Sequence, residues 1–293
     1  MKLGLGTVQF GLDYGIANKD GKVADDAIQD ILDVAQQAGI TILDTAAQYG
    51  SSEDLLGRSM PNNNHFNIVT KTPFIASDVI TPADADLITT TFHASLEKLN
   101  QQSLYGLLLH NANDMHKDNF KLVWHSMQAL KQQGLVQKIG LSVYTSQQID
   151  YALEHYLPDL IQLPFNVFDQ RLLHSGHLAK LKKYNVQIHA RSVFLQGLLL
   201  MKPEHVPAKL HGAIGQIKKY HDQTFAEGMS TLEASLGFVV QQPDIDCVIV
   251  GVCSSAQLQE IVAAEKKVHD SNFDFAPFAL QDEKILNPAL WKL

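Results

Sequence analysis

Four polar residues stand out because of where they fall. Asp44 closes the apolar run "TILD", Tyr49 follows five residues later, Lys71 ends "NIVTK" and His110 follows "LLL". Alone, each has an ordinary use: a helix cap, a surface phenol, a solvated amine, a satisfied structural histidine. In one cavity they amount to a proton donor. A free phenol has a pKa of about 10 and is a poor acid at neutral pH. A cation within a few ångströms favours the phenolate, and Lys71 is the candidate. A buried lysine stays charged when a carboxylate holds it, which gives Asp44 its part. His110 can orient a substrate oxygen or relay the proton. Such a set hands a proton to an oxygen that is gaining negative charge, the need of a carbonyl when hydride reaches its carbon.

These residues must be brought together by the elements that carry them. Short apolar runs predict eight strands: Leu3–Val8, Thr41–Asp44, Asn67–Thr70, Tyr105–Leu109, Lys138–Ser142, Leu160–Leu163, Gln187–Ala190 and Cys247–Val250. Several are apolar almost throughout, as parallel strands covered on both faces should be. Helical spacing runs through Ala24–Ala38, Pro82–Leu99, Lys117–Gln133 and Ser146–Tyr156. Gly39 and Gly134 suit the positions just past two of these helices. Thr81 followed by Pro82 suits the start of another. Eight strands alternating with helices predict a (β/α)8 barrel, a TIM barrel, over the whole chain, 1–293, as a single domain. The mixed 197–228 interval predicts an extra loop and helix before the last barrel helix, and a C-terminal tail follows. In such a barrel chemistry belongs at the C-terminal strand ends. There the chain carries Asp44, Lys71, His110, Ser142, Gln162 with Asn166 beyond it, and Arg191 with Ser192. Ser51, Glu53 and Asp54 are expected to open the helix after strand 2, where acidic groups suit the dipole.

Composition narrows the partners. The net charge is -8 and no basic cluster occurs, which argues against nucleic acid and anionic membrane. No window reaches the ~20 apolar residues of a membrane span, and the first residues lack the apolar core of a signal peptide. Cys247 and Cys253 flank one strand, so a reduced, cytoplasmic protein is expected. The thirteen histidines are scattered, with no metal-ligand spacing at a strand end, so no metal is expected.

The segments "LDTAAQYGSSEDLLG", "IVTK" and "LLLH", with "KIGLS", "LIQLPFN" and "VIVGVCSSAQLQE", resemble the aldo-keto reductase family over most of the chain. The resemblance implies an NADPH/NADP+-binding barrel acting on a small-molecule carbonyl or alcohol, sugars included, with NADH as the alternative cofactor. No G-x-G-x-x-G in a βαβ setting is present, which agrees with binding outside a Rossmann fold. Carried over residue by residue, Tyr49 is the general acid, aided by Lys71 and Asp44, and His110 positions the carbonyl. Ser142 and Gln162 bind the nicotinamide carboxamide, and Ser192 and Leu195 lie along the pyrophosphate. Gly251, Ser254, Gln257 and Glu260 meet the adenosine, and Thr7 joins the cofactor set. A loop of small and hydroxyl residues opening a helix suits phosphate.

Three departures from the family pattern bear on specificity. Val143 stands where the family has Asn, and Arg191 where an aromatic stacks on the nicotinamide. Arg191 is expected at the cofactor phosphates; a preference for acidic substrates is the other reading. Gln257 and Ile261 replace Arg and Asn, and "GVCSSAQLQEI" holds no cation for a 2′-phosphate. Phe10 and Phe74 closely follow strands 1 and 3 and are the substrate-pocket candidates. Phe165, Phe194 and Trp291 are divided between pocket and ordinary packing, with Trp291 on a tail that in the family can cover the barrel mouth. Cys253 is assigned to packing. The competing functions are a non-catalytic NADP-binding regulatory or redox-sensing subunit, and a lyase or isomerase using Lys71 as a Schiff-base amine.

Overall fold

The structure is a computed structural model that describes residues 2–61, 64–267 and 273–291. Eight strands occur in the expected order: β1 (Leu3–Gly6), β2 (Ile42–Asp44), β3 (Asn67–Lys71), β4 (Leu104–Leu109), β5 (Val136–Ser142), β6 (Leu160–Pro164), β7 (Gln187–Arg191) and β8 (Cys247–Gly251). Each pairs in parallel with the next, and β1 pairs with β8, so the barrel closes without an edge. Ile42, Val69, Leu108, Leu160, Cys247 and Ile249 fill its interior. A larger apolar layer lies between strands and helices, which is why the strands read as continuously apolar.

Eight helices cover the barrel: α1 (Ala27–Gln37), α2 (Ser52–Ser59), α3 (Pro82–Leu99), α4 (Lys121–Gln132), α5 (Ser146–His155), α6 (His177–Lys183), then Thr231–Val240 after β7 and Ser255–Glu265 after β8. Local chemistry sets their limits. At Thr81 the hydroxyl accepts from Asp84 N and the Asp84 carboxylate accepts from Thr81 N, with Pro82 in the first turn. Thr145 with Gln148 makes the same reciprocal cap on α5. Gly39, with φ of 77°, turns the chain out of α1 at little steric cost.

Among the differences from the sequence expectation are two boundaries and the place of the extra helix, which precedes the seventh barrel helix rather than the last. Strand β1 stops at Gly6, because residues 8–11 curl into one helical turn after Thr7. Helix α4 starts at Lys121 rather than Lys117, since Asn119 adopts φ of 63° and interrupts the pattern. The 197–228 interval does hold an extra helix, Ile214–Ala226, preceded by 3-10 turns. It sits directly ahead of the seventh barrel helix, before β8. After the last barrel helix, short turns at Ala276–Phe278, Glu283–Leu286 and Pro288–Leu290 form the described tail. Among the described residues no helix is long and apolar enough to cross a membrane.

Candidate active site

The C-terminal strand ends open onto a cavity of about 610 Å³, within the range of ligand sites. Asp44, Tyr49, Lys71 and His110 all line it. Parallel register brings them together. Asp44 pairs with Val69, two residues before Lys71, and Lys71 pairs with Leu108, two residues before His110. The inward alternation of neighbouring strands then aims all three side chains at the same space.

Lys71 is 2% exposed and its Nζ donates to both Asp44 oxygens and to the Thr45 carbonyl, each at 2.8 Å. All three ammonium protons are therefore used. Burial lowers the Lys71 pKa and the Asp44 carboxylate opposes that shift. The ammonium lies 5.0 Å from the centroid of the Tyr49 ring, a cation–π contact. The expectation that Lys71 acidifies the phenol is not met in the free protein. Burial, followed by the Asp44 charge, raises the Tyr49 pKa. The hydroxyl is thus held protonated, with no hydrogen-bond partner among the described residues. The loop that carries it leans on Gly11, where an added Cβ would overlap the Tyr49 carbonyl oxygen.

His110 meets Tyr49 edge-on at 5.9 Å between ring centroids. Burial, then the charges of Lys71 and Arg191, push its pKa down to about 3. The imidazole is neutral across the physiological range. Its Nδ1 is buried without a partner, which leaves the other ring nitrogen for the cavity. A protonated phenol and a neutral imidazole thus flank one space, over a saturated ion pair.

Gln162 donates from Nε2 to Asp44 Oδ1 at 2.7 Å, while its Oε1 is buried without a partner. Ser142 is its register neighbour, and both line the cavity. An amide donor such as a nicotinamide carboxamide fits that orphaned oxygen. Thr7 also lines the cavity but is committed to the frame: its hydroxyl donates to the Asp44 carbonyl and accepts from Ser52 Oγ. Arg191 stacks on Tyr144, 4.2 Å from the ring centroid, and donates to Val143 O and Ser192 Oγ. Ser192, Leu195 and Gln196 all have positive φ, between 49° and 57°, a strained run that survives only when its surroundings fix it. Asn166 supplies part of that support. Its Nδ2 donates to Ser192 O, and its Oδ1 accepts from Phe168 N and Asp169 N.

At the far end of the cavity Gly251, Gln257 and Glu260 line the wall. Ser254 instead caps the last barrel helix by accepting from Gln257 N, and Gln257 Oε1 accepts from Cys253 N. The volume, the orphaned Gln162 oxygen and this helix start fit an extended nicotinamide dinucleotide.

Several sequence expectations need correction. Phe10 is fully buried in the core, because the helical turn after Thr7 rotates it away from the cavity. Phe74 is 56% exposed and stacks on His110 at 4.8 Å, outside the cavity wall. Leu195 is buried in the core and does not line the cavity. Phe165 packs in the core on Phe238, whereas Phe194 is a wall residue. Trp291 donates to Lys284 O, and its neighbours Pro288 and Ala289 line the cavity in its place. Glu53 is buried, accepting from Thr70 and Ser95 hydroxyls, and so ties α2 to β3 and α3 rather than merely facing a dipole. The sequence reading missed Gln9, Tyr14, Tyr144 and Gln196 as wall residues. Their one signal is position in the loops after β1, β5 and β7. Among the described residues no group of three or more His, Cys, Asp or Glu could hold a metal ion.

Comparison with known proteins agrees with this geometry. Residues 2–274 match the profile of the Aldo/keto reductase family. An uncharacterized oxidoreductase of Bacillus subtilis, YqkF, is 26% identical over 80% of this chain and 80% of its own length. L-galactose dehydrogenase of Arabidopsis thaliana is 25% identical over 92% of this chain and 86% of its own. The holo form of aldo-keto reductase AKR11C1 from Bacillus halodurans superposes with a TM-score of 0.74 at 18% identity, covering 99% of this chain and 94% of that one. The chain belongs to the aldo/keto reductase family and is an NAD(P)-dependent oxidoreductase.

Proposed function

We propose that the protein reduces an aldehyde or ketone to an alcohol, with sugar-like carbonyls as the leading substrate class and Tyr49 as the proton donor. A bound reduced nicotinamide supplies the hydride. The phenol gives its proton to the carbonyl oxygen as charge develops there. The neutral imidazole of His110 donates a hydrogen bond to the same oxygen and holds it towards Tyr49. Asp44 and Lys71 fix the floor on which the tyrosine ring rests. Gln162 and Ser142 orient the carboxamide edge of the cofactor.

The observation that carries this reading is a partly buried, protonated Tyr49 facing a neutral His110 above the Asp44–Lys71 pair. The sugar preference rests on relatives named L-galactose dehydrogenase and D-arabinose 1-dehydrogenase. The last matches 44% of this chain and 40% of its own length, at 28% identity. The test is a panel of sugars, simple aldehydes and ketones with deuterium-labelled reduced cofactor. Label at the former carbonyl carbon of a sugar product is the expected result. Cofactor binding without label transfer to any member would favour a regulatory NADP-binding subunit instead.

A further inference from the structure

The cavity is electrostatically lopsided. Its basic wall residues are Lys71, His110 and Arg191, and all three sit at one end. Lys71 is consumed by Asp44, and Arg191 lies over Tyr144 against the ends of β5 and β7. A dinucleotide with its reactive ring at Tyr49 must run away from this end, towards β8. The wall there consists of Gly251, Cys253, Gln257, Glu260 and Ile261, faced by Ala17 and Asn18 from the loop after β1. Glu260 is the charged residue among them. Of the lysines in that loop, Lys22 is paired with Asp25 at 3.1 Å, and Lys19 does not line the cavity.

We infer that this end of the cavity is built for an adenosine with a free 2′-hydroxyl, so that NADH and NAD+ are the preferred cofactors over their 2′-phosphorylated forms. The inference rests on the proposed redox function and departs from the NADPH expected by resemblance. A hydroxyl can donate to a carboxylate such as Glu260, whereas a 2′-phosphate needs a cation. Such a phosphate carries close to two negative charges at neutral pH. Here it would meet Glu260, with no cationic side chain lining this end of the cavity among the described residues. The start of the last barrel helix offers about half a positive charge, but the Ser254 hydroxyl already accepts from Gln257 N, and the Gln257 side chain accepts from Cys253 N just ahead of the helix. The helix end alone does not offset two phosphate charges beside the Glu260 carboxylate.

Calorimetric titration of the full chain with NADH and with NADPH tests this directly, without turnover. NADH is expected to bind at least about tenfold more tightly at low salt, with the gap narrowing in ~0.5 M salt as the Glu260 carboxylate is screened. Gln257→Arg and Glu260→Gln should each move the ratio towards NADPH, and Cys253→Arg should do so at a second position. NADPH binding as tight as NADH, or a ratio that none of the three variants moves, overturns the inference. Failure of both cofactors to bind overturns the redox reading itself, a separate outcome.

Discussion

The two ends of the cavity are built on different principles. At the Tyr49 end, side chains hold side chains: Lys71 spends every proton on Asp44 and Thr45, Gln162 braces Asp44, and Ser52 ties Thr7 to Thr45. At the β8 end the wall is made of small residues, a helix start and an exposed Glu260, with polar side chains spent on the local cap. A proton must be delivered at a defined atom, which calls for positions fixed to fractions of an ångström. An adenosine needs only shape, a few donors and compatible charge. Substitutions should therefore hurt steeply at the first end and shallowly at the second.

The largest effect should follow Lys71→Met, which leaves the Asp44 carboxylate buried and unpaired. Stability should fall by about 3–5 kcal/mol, read as the shift in urea midpoint. A much smaller loss would mean that the ion pair is not the keystone of this end. Next comes Asn166→Ala, which removes the amide that restrains the positive-φ run at Ser192. A loss of about 1–3 kcal/mol is expected, together with weaker cofactor binding. Unchanged binding would detach that loop from the site.

The pH dependence separates the ends more finely. His110 and His189 have pKa values pushed down to about 3 and about 4 by burial. The unfolded chain takes up protons at its ordinary histidine pKa of about 6.5, and the folded protein does not. The stability tied to these neutral rings is present above pH 6.5 and is lost as pH falls towards 4 and then 3. His189 is fully buried with both ring nitrogens unpartnered. Replacing it with Leu should flatten the acid limb of Tm against pH; an unchanged limb would exclude His189 as a source. The smallest effect is expected from Phe74→Ala. Its ring is mostly exposed and covers one face of His110, so stability should change by under ~1 kcal/mol. A large loss of turnover there would extend the rigid end outwards.

What the sequence made legible follows the same division. Strands and reactive residues could be read because a polar residue closing an apolar run is conspicuous, and barrel register does the rest. The wall could not be read. Tyr14 and Gln9 reach the cavity only because β1 ends at Gly6 and the chain curls at once, and the same curl sends Phe10 into the core. Glu53 looked like a first-turn acid, and its burial depends on Thr70 and Ser95, distant partners that spacing does not reveal. The expected Lys71 effect on Tyr49 failed for a similar reason. The ammonium is saturated by Asp44 and Thr45, and burial governs the phenol.

The central claim is that Tyr49 supplies the proton, and single-turnover kinetics of Tyr49→Phe tests it most directly. The account predicts that cofactor affinity stays within about twofold, because the substitution keeps the ring and removes only the hydroxyl assigned to the proton. The rate of carbonyl reduction should fall by about 10²–10⁴-fold. A variant that binds cofactor normally and reduces the carbonyl at close to the wild-type rate would contradict it.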